Sequence, residues 1–290
     1  MGIARGAARL LLNECQQRPF SGSVLQLGRQ SFFFEIEELQ KWASWHDVKL
    51  AKVSIARSHK IIDDITFFSA LGFESVESLD ISDYEGATHI LDLNCPIPKH
   101  LYNRYDVIVD GGTIEHIFHF PQVLSNIYDM LKVGGRVIHL APSSNHVDHG
   151  FYMFSPTLFY DYYTCNQWII DDFKIFEYTM RHDVDAWRIY NYNPGCLSRV
   201  SFGGFDRGYL LGIYCVALKT KDSTKKNIPQ QGYYKQLWSN TETDSTGITQ
   251  VQKLAQMLEP YPKISKMIKR IYHSIPRSHS RKMPPLIAKY

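Results

Sequence analysis

The sequence predicts a doubly wound α/β sheet, mostly parallel and three layers deep, with a late antiparallel strand. Three observations carry this. Strand-like and helical runs alternate between residues 23 and 142, an order that lays helices on both faces of a parallel sheet. Strand interiors such as Val107-Ile108-Val109 are apolar without interruption, as in strands covered on both sides. The runs end on Gly28, Asp80, Asp92 and Asp110, and an open α/β sheet binds ligands beyond the carboxyl ends of its strands.

The elements follow in order. The N-terminal stretch MGIARGAARLLLNECQQRPF reads as a short amphipathic helix. SVLQLG (23–28) is a strand closed by glycine, and FFFEIEELQKWASW (32–45) has helical spacing. DDITFFSALGF (63–73) is a helix stopped by Gly72. SVESLDIS (75–82) and ATHILDLN (87–94) are strands ending on Asp80 and Asp92. Pro96 and Pro98 then block regular structure. YDVIVDGG (105–112) is the next strand. In FPQVLSNIYDML (120–131), Phe120, Val123, Leu124, Ile127 and Leu131 recur at helical intervals. Gly134-Gly135 stops that helix before the strand RVIHLAP (136–142). Helix follows Pro156. DFKIFEYTMRHD (172–183) and GYLLGIYCVALKT (208–220) are late strands. Residues 221–249 turn polar, as a linker does, and 250–274 could form an amphipathic helix in a basic tail reaching residue 290. The domain expectation is therefore 1–220, a linker over 221–249, and a basic helix or tail over 250–290.

Composition narrows the class. At 290 residues and 44% hydrophobic content the chain can bury one large core. No apolar run approaches the ~20 residues that span a bilayer, and no signal peptide is read at the N-terminus. Cys15, Cys95, Cys165, Cys196 and Cys215 are scattered and odd in number, which suits a reducing cytoplasm rather than a disulfide framework or a zinc site. Net charge is +3, but Glu259 to Tyr290 holds eight bases against one acid, leaving the remainder mildly acidic. Such a tail can touch an anionic surface. Nothing in the sequence specifies an oligomeric state.

The strand-end residues suit an adenosine-containing cofactor. A carboxylate after the second strand has two acceptor oxygens for a ribose diol. An acid after the third can accept from an adenine amine, and a glycine after the first lets a ligand approach the backbone. A nicotinamide site wants G-x-G-x-x-G, with an acid about 20 residues on. Here 25-LQLGRQSFFFE-35 holds one glycine and Asp80 lies far beyond it. There is also no G-x-x-x-x-G-K-[ST] for a nucleotide triphosphate.

In 77-ESLDIS-82, 91-LDLN-94, 105-YDVIVDGGTIEHI-117 and 129-DMLKVGGRVIHLAP-142 the chain resembles the class I S-adenosylmethionine-dependent methyltransferases of small molecules, over roughly residues 23–145. The resemblance implies a Rossmann-like sheet and S-adenosyl-L-methionine as cofactor. It implies Gly28 beside the methionine part, Asp80 with Ile81 at the ribose, and Asp92 with Leu93 at the adenine. Asp110, Gly111 and Gly112 would line the methionine end. The first loop departs from the pattern: Gln26 stands at the acid, and Arg29-Gln30 replace glycines. Arg29 is then a candidate partner for the cofactor carboxylate.

Methyl transfer needs an aligned acceptor, and a base if that acceptor is a hydroxyl. His116, His146 and His149 are the candidate catalytic residues. The segment 142-PSSNHVDHGFYMFSP-156 follows the fifth strand, and its Asn145, Asp148 and Tyr152 are candidate acceptor contacts. Polar groups beside aromatics suit a small hydroxylated acceptor such as a sugar. Histidines also ligate metals, but His116, His119, His139, His146 and His149 lack a fixed partner spacing, so no metal site is read. Two other functions fit the sequence: a non-catalytic binding protein on this fold, favoured by the altered first loop, and a nucleic-acid methyltransferase using the basic tail.

Overall fold

A computed structural model describes residues 2–53, 61–181, 186–197, 208–235 and 283–290. The expected 250–274 helix and most of the basic tail lie outside them. Among the described residues, nine strands join in one sheet and no helix is long and apolar enough to cross a membrane.

The chain opens with a two-residue strand β1 (Gly2–Ile3) and helix α1 (Arg5–Gln17). Strand β2 (Ser23–Leu27) follows, then the short β3 (Ser31–Phe32), which pairs with β1. Helix α2 (Ile36–Trp45) starts later than its spacing predicts. A reciprocal cap sets that start, with the Glu38 carboxylate accepting from the Glu35 N–H. Helix α3 (Asp64–Ala70) begins where Asp63 accepts from Thr66 N–H, and ends before Gly72 at φ +112°.

The strands β4 (Ser75–Asp80), β5 (His89–Ile90) and β6 (Tyr105–Asp110) come next. β5 is shorter than expected, because residues 92–95 close a turn, Cys95 N–H donating to the Asp92 carbonyl. Helix α4 (Phe120–Met130) carries Pro121 in its first turn, where a missing N–H costs nothing. Strand β7 (Leu131–Ser144) is longer than expected and runs through Gly134-Gly135. Helix α5 (Pro156–Cys165) leads into β8 (Ile169–Tyr178), β9 (Arg188–Asn191), β10 (Leu210–Leu218) and β11 (Leu286–Lys289).

The sheet order is β11-β9-β8-β10-β7-β6-β2-β4-β5. The five strands β2, β4, β5, β6 and β7 pair in parallel, and β10 runs antiparallel between β7 and β8. Numbered among themselves, the parallel strands lie third, second, first, fourth, fifth, so the chain reverses direction between β2 and β6. That reversal opens a crevice at the carboxyl ends of β2 and β6, the usual ligand position in such sheets. β9 and β11 extend the far edge and were not foreseen. β11 belongs to the stretch expected as a tail: Leu286–Lys289 pair with β9 as an edge strand.

Each face carries its own core. Val24, Val107, Val109, Ile138 and Leu140 point to one side, against Ala8, Leu11 and Leu12 of α1 and the aromatic cluster Phe32, Phe34, Phe67 and Phe68. Leu25, Ile108, Val137 and Ala141 point to the other, against Val123 and Ile127 of α4 and Phe159 and Tyr163 of α5. Neighbours in one strand alternate between the faces, which is why those strands read as continuous apolar runs. Each such fully buried Val, Leu or Ile contributes about 1.5–3 kcal/mol. α1 lies close against the sheet edge: a Cβ on Gly6 would sit 2.1 Å from the Trp187 ring.

Candidate functional site

The crevice at the β2–β6 reversal is a cleft of about 270 Å³. Gly28, Asp80, Ile81, Asp92, Leu93 and Gly112 all line it, with Thr113 and His116 at one end. The sheet registers cause this, since Leu27 pairs with both Leu79 and Asp110. Gly28 has φ +67°, and a Cβ there would lie 2.7 Å from Thr113 Oγ1. Both the backbone and the space therefore require glycine. Asp80 turns one oxygen inward along its own chain, Oδ1 accepting from Ile81 N–H at 2.7 Å. Its Oδ2 has no hydrogen bond among the described residues, so one free carboxylate oxygen stands at the cleft wall. Asp92 Oδ1 accepts from the N–H and side chain of Asn94, both at 2.8 Å.

The altered first loop is filled by its own side chains. Arg29 lines the cleft but is already paired: Nε and Nη2 fork onto Asp64 at 3.1 Å each, and Nη1 donates to the carbonyls of Glu85 and Gly86. Its role as partner of a ligand carboxylate is therefore corrected to that of a strap, holding the 81–86 turn to α3. The fork–fork geometry on Asp64 uses Nε and Nη2 together, the arrangement a guanidinium would otherwise offer to a ligand carboxylate. Gln26 is buried and donates to the same Asp64 at 2.9 Å. Gln30 folds inward, donating to the Leu27 and Gly28 carbonyls, and packs on Gly111.

Asp110 does not line the cleft, a second correction. It is fully buried, with Oδ1 accepting from Thr113 and Ile114 N–H, and Oδ2 2.8 Å from His139 Nδ1. The other His139 nitrogen, Nε2, lies 2.6 Å from the Tyr163 hydroxyl. This Asp110–His139–Tyr163 chain shapes the turn after β6 from inside. Gly111 likewise lies beneath Gln30, away from the cleft.

His116, His146 and His149 come together at the cleft end. His146 and His149 stack with ring centres 3.7 Å apart, and His116 meets His149 edge-on at 4.8 Å. All three imidazoles are held below the ordinary histidine range by burial, His149 to about 4, with the neighbouring histidines adding to its shift. Burial thus favours the neutral form of each ring, which leaves a nitrogen lone pair on each. Beneath them Glu115 is fully buried, and neither carboxylate oxygen has a hydrogen-bond partner. Burial, then the nearby Asp110, pushes its carboxyl up to about 8. Its 3.5 Å contact with His149 is accordingly not an ion pair. Donor atoms of Glu115, His116 and His149 lie within 4.8 Å of one another. Sequence spacing could not show this grouping, because His116 and His149 lie 33 positions apart in the chain.

The acceptor candidates divide. Tyr152 sits beside the site, its hydroxyl donating to the Phe118 carbonyl at 2.6 Å. Asn145 is turned away, donating to the Tyr209 carbonyl at 3.0 Å, and Asp148 is exposed on a left-handed turn at φ +66°. Thr113 and Asn94 line the cleft but were not singled out in the sequence, and Gln30, noted there only as replacing a glycine, lines it too. The Gly111-Gly112 pair was the available signal for Thr113.

No family model matches the sequence, and no curated protein matches it. Solved structures similar to it include a Burkholderia thailandensis 1,6-didemethyltoxoflavin-N1-methyltransferase with bound S-adenosylhomocysteine, at 14% identity and TM-score 0.36, covering 74% of this chain and 77% of that one. Another is a Haemonchus contortus phosphoethanolamine N-methyltransferase, at 13% identity and TM-score 0.40, covering 75% and 54%. A third is the YcgJ protein of Bacillus subtilis, at 10% identity and TM-score 0.41, covering 74% and 98%. Likeness this distant carries no weight here, and the fold rests on the strand order itself.

Proposed function

We propose that the protein is a class I S-adenosylmethionine-dependent methyltransferase acting on an oxygen or nitrogen of a small polar acceptor, a sugar or glycan precursor among the candidates. One observation carries this reading. The cleft at the chain reversal is lined by the strand-end set Gly28, Asp80, Asp92 and Gly112 and opens onto a cluster of neutral histidines. The unpartnered Asp80 Oδ2 suits a ribose diol, and the side-chain-free surface at Gly28 suits close approach of a ligand. Asp92 and Leu93 would flank an adenine. The first loop fits less well, because Arg29 is committed to Asp64 and Gln30 occupies the space beside Gly111.

When bound, the cofactor supplies an electrophilic sulfonium methyl. The chain's part is alignment, exclusion of water and, for a hydroxyl acceptor, removal of a proton. An imidazole of the cluster would take that proton: burial leaves the ring nitrogen lone pairs free, while it also makes these rings weaker bases than an exposed histidine. Phe118 and Phe151, in edge-to-face contact beside the cluster, would cover an acceptor's apolar side.

Calorimetric titration with S-adenosylmethionine tests the reading. Micromolar binding is expected, weakened at least tenfold, about 1.4 kcal/mol, by Asp80→Ala. A folded wild type that does not bind overturns it. That outcome would favour a binding protein on the same fold, a reading supported by the side chains that fill the first loop.

A further inference from the structure

We propose that Glu115, His116 and His149 form a binding site for one divalent transition-metal ion at the histidine end of the cleft. The strongest observation is the Glu115 carboxylate. It is 0% exposed and both of its oxygens lack a hydrogen-bond partner. A buried polar group left unpaired costs about 1–3 kcal/mol, more for a charged one, so a native protein rarely keeps one without use.

What faces that carboxylate is chemically specific. Oε1 lies 3.5 Å from His149 Nε2 and 3.8 Å from His116 Nε2. Both separations exceed a hydrogen bond. They suit two ligands of a common ion: tetrahedral bonds of ~2.0 Å put donor atoms about 3.3 Å apart. His149 Nε2 is itself buried and unpartnered. Its ring is braced by the stack on His146, which orients that nitrogen toward Glu115. His116 and Glu115 share a single tight turn, Ile114–His116, whose position the Asp110 oxygen fixes through Thr113 and Ile114 N–H.

The donor set selects the metal. Two imidazoles and one carboxylate suit zinc, cobalt, nickel or iron, whereas magnesium and calcium prefer oxygen. Three protein ligands leave a fourth position open, toward the cleft that His116 lines at 44% exposure. Ligation and proton abstraction by His116 or His149 exclude each other. In the loaded protein the ion would hold an acceptor oxygen, a role that rests on the methyl-transfer reading; ion binding itself does not.

The test is calorimetric titration of the chelator-stripped full chain with zinc chloride, alongside the visible absorption of cobalt(II). One ion per chain and a cobalt ligand-field band of low-symmetry type are expected. Glu115→Gln and His149→Ala, each shown folded by circular dichroism, should weaken zinc binding at least a hundredfold, and the exposed His100→Ala should not. Absence of binding by folded wild type overturns the proposal, as does binding unchanged in both variants. S-adenosylmethionine binding, measured separately, reports on the cofactor reading alone.

Discussion

His139 shows how one side chain can hold a site it never touches. It bridges Asp110 and Tyr163 with no exposed atom, and Asp110 in turn caps the turn that carries Thr113 to His116. His139→Leu would leave the Asp110 Oδ2 and the Tyr163 hydroxyl buried and unpaired. The expected loss is about 3 kcal/mol of unfolding free energy, read from the urea midpoint. Tyr163→Phe leaves only His139 Nε2 unpaired and should lose roughly half as much. Equal stability of wild type and His139→Leu would refute the bridging role.

At the scale of elements, Glu77 on β4 ties three strands together. It accepts from the Tyr105 hydroxyl at the start of β6 and from Arg104 just before it, and contacts His89 of β5 at 2.7 Å. Burial alone would raise its carboxyl, but these hydrogen bonds win and lower it to about 2. A folded value below the unfolded one favours the folded state wherever the unfolded carboxyl is ionised. That stability is present above about pH 4.5 and is lost as pH falls toward 2. The melting temperature of wild type should therefore fall more steeply between about pH 5 and pH 3 than that of Glu77→Gln. Parallel melting curves for the two proteins would show that Glu77 does not link the strands energetically.

At the scale of the molecule, β11 closes the sheet edge. It pairs with β9, and backbone bonds at 2.7 and 2.9 Å lock Trp187 to Tyr290. The Tyr290 ring lies under Arg9 of α1 at 4.5 Å and against His46 beyond α2. Removing residues 284–290 should lower the melting temperature by about 5 °C and speed hydrogen exchange at Ile189 and Tyr190. An unchanged melt would mean the strand adds nothing. A deletion meant to probe the basic residues should spare this strand, because cutting at 259 removes both at once.

How much was legible follows from which forces are local. Periodicity, caps and strand-end residues are encoded within a few positions. The order of elements from β2 to β7, the two-sided burial of Val107 to Val109, and the cleft positions of Gly28, Asp80 and Asp92 could therefore be read directly. The fates of Arg29, Asp110 and Glu115 could not. Arg29 meets Asp64, Asp110 meets His139, and Glu115 meets His149 across gaps of tens of residues, and no local spacing reports such meetings. β11 escaped for the same reason: a four-residue edge strand has little periodicity, and its partner lies nearly a hundred residues away. By itself the sequence determined a doubly wound sheet with a ligand crevice at its reversal, because apolar pattern and strand-end chemistry act through neighbours along the chain. Only the tertiary structure decided which charged groups face that crevice and which are spent on one another, because pairing of buried polar groups is settled by proximity in space.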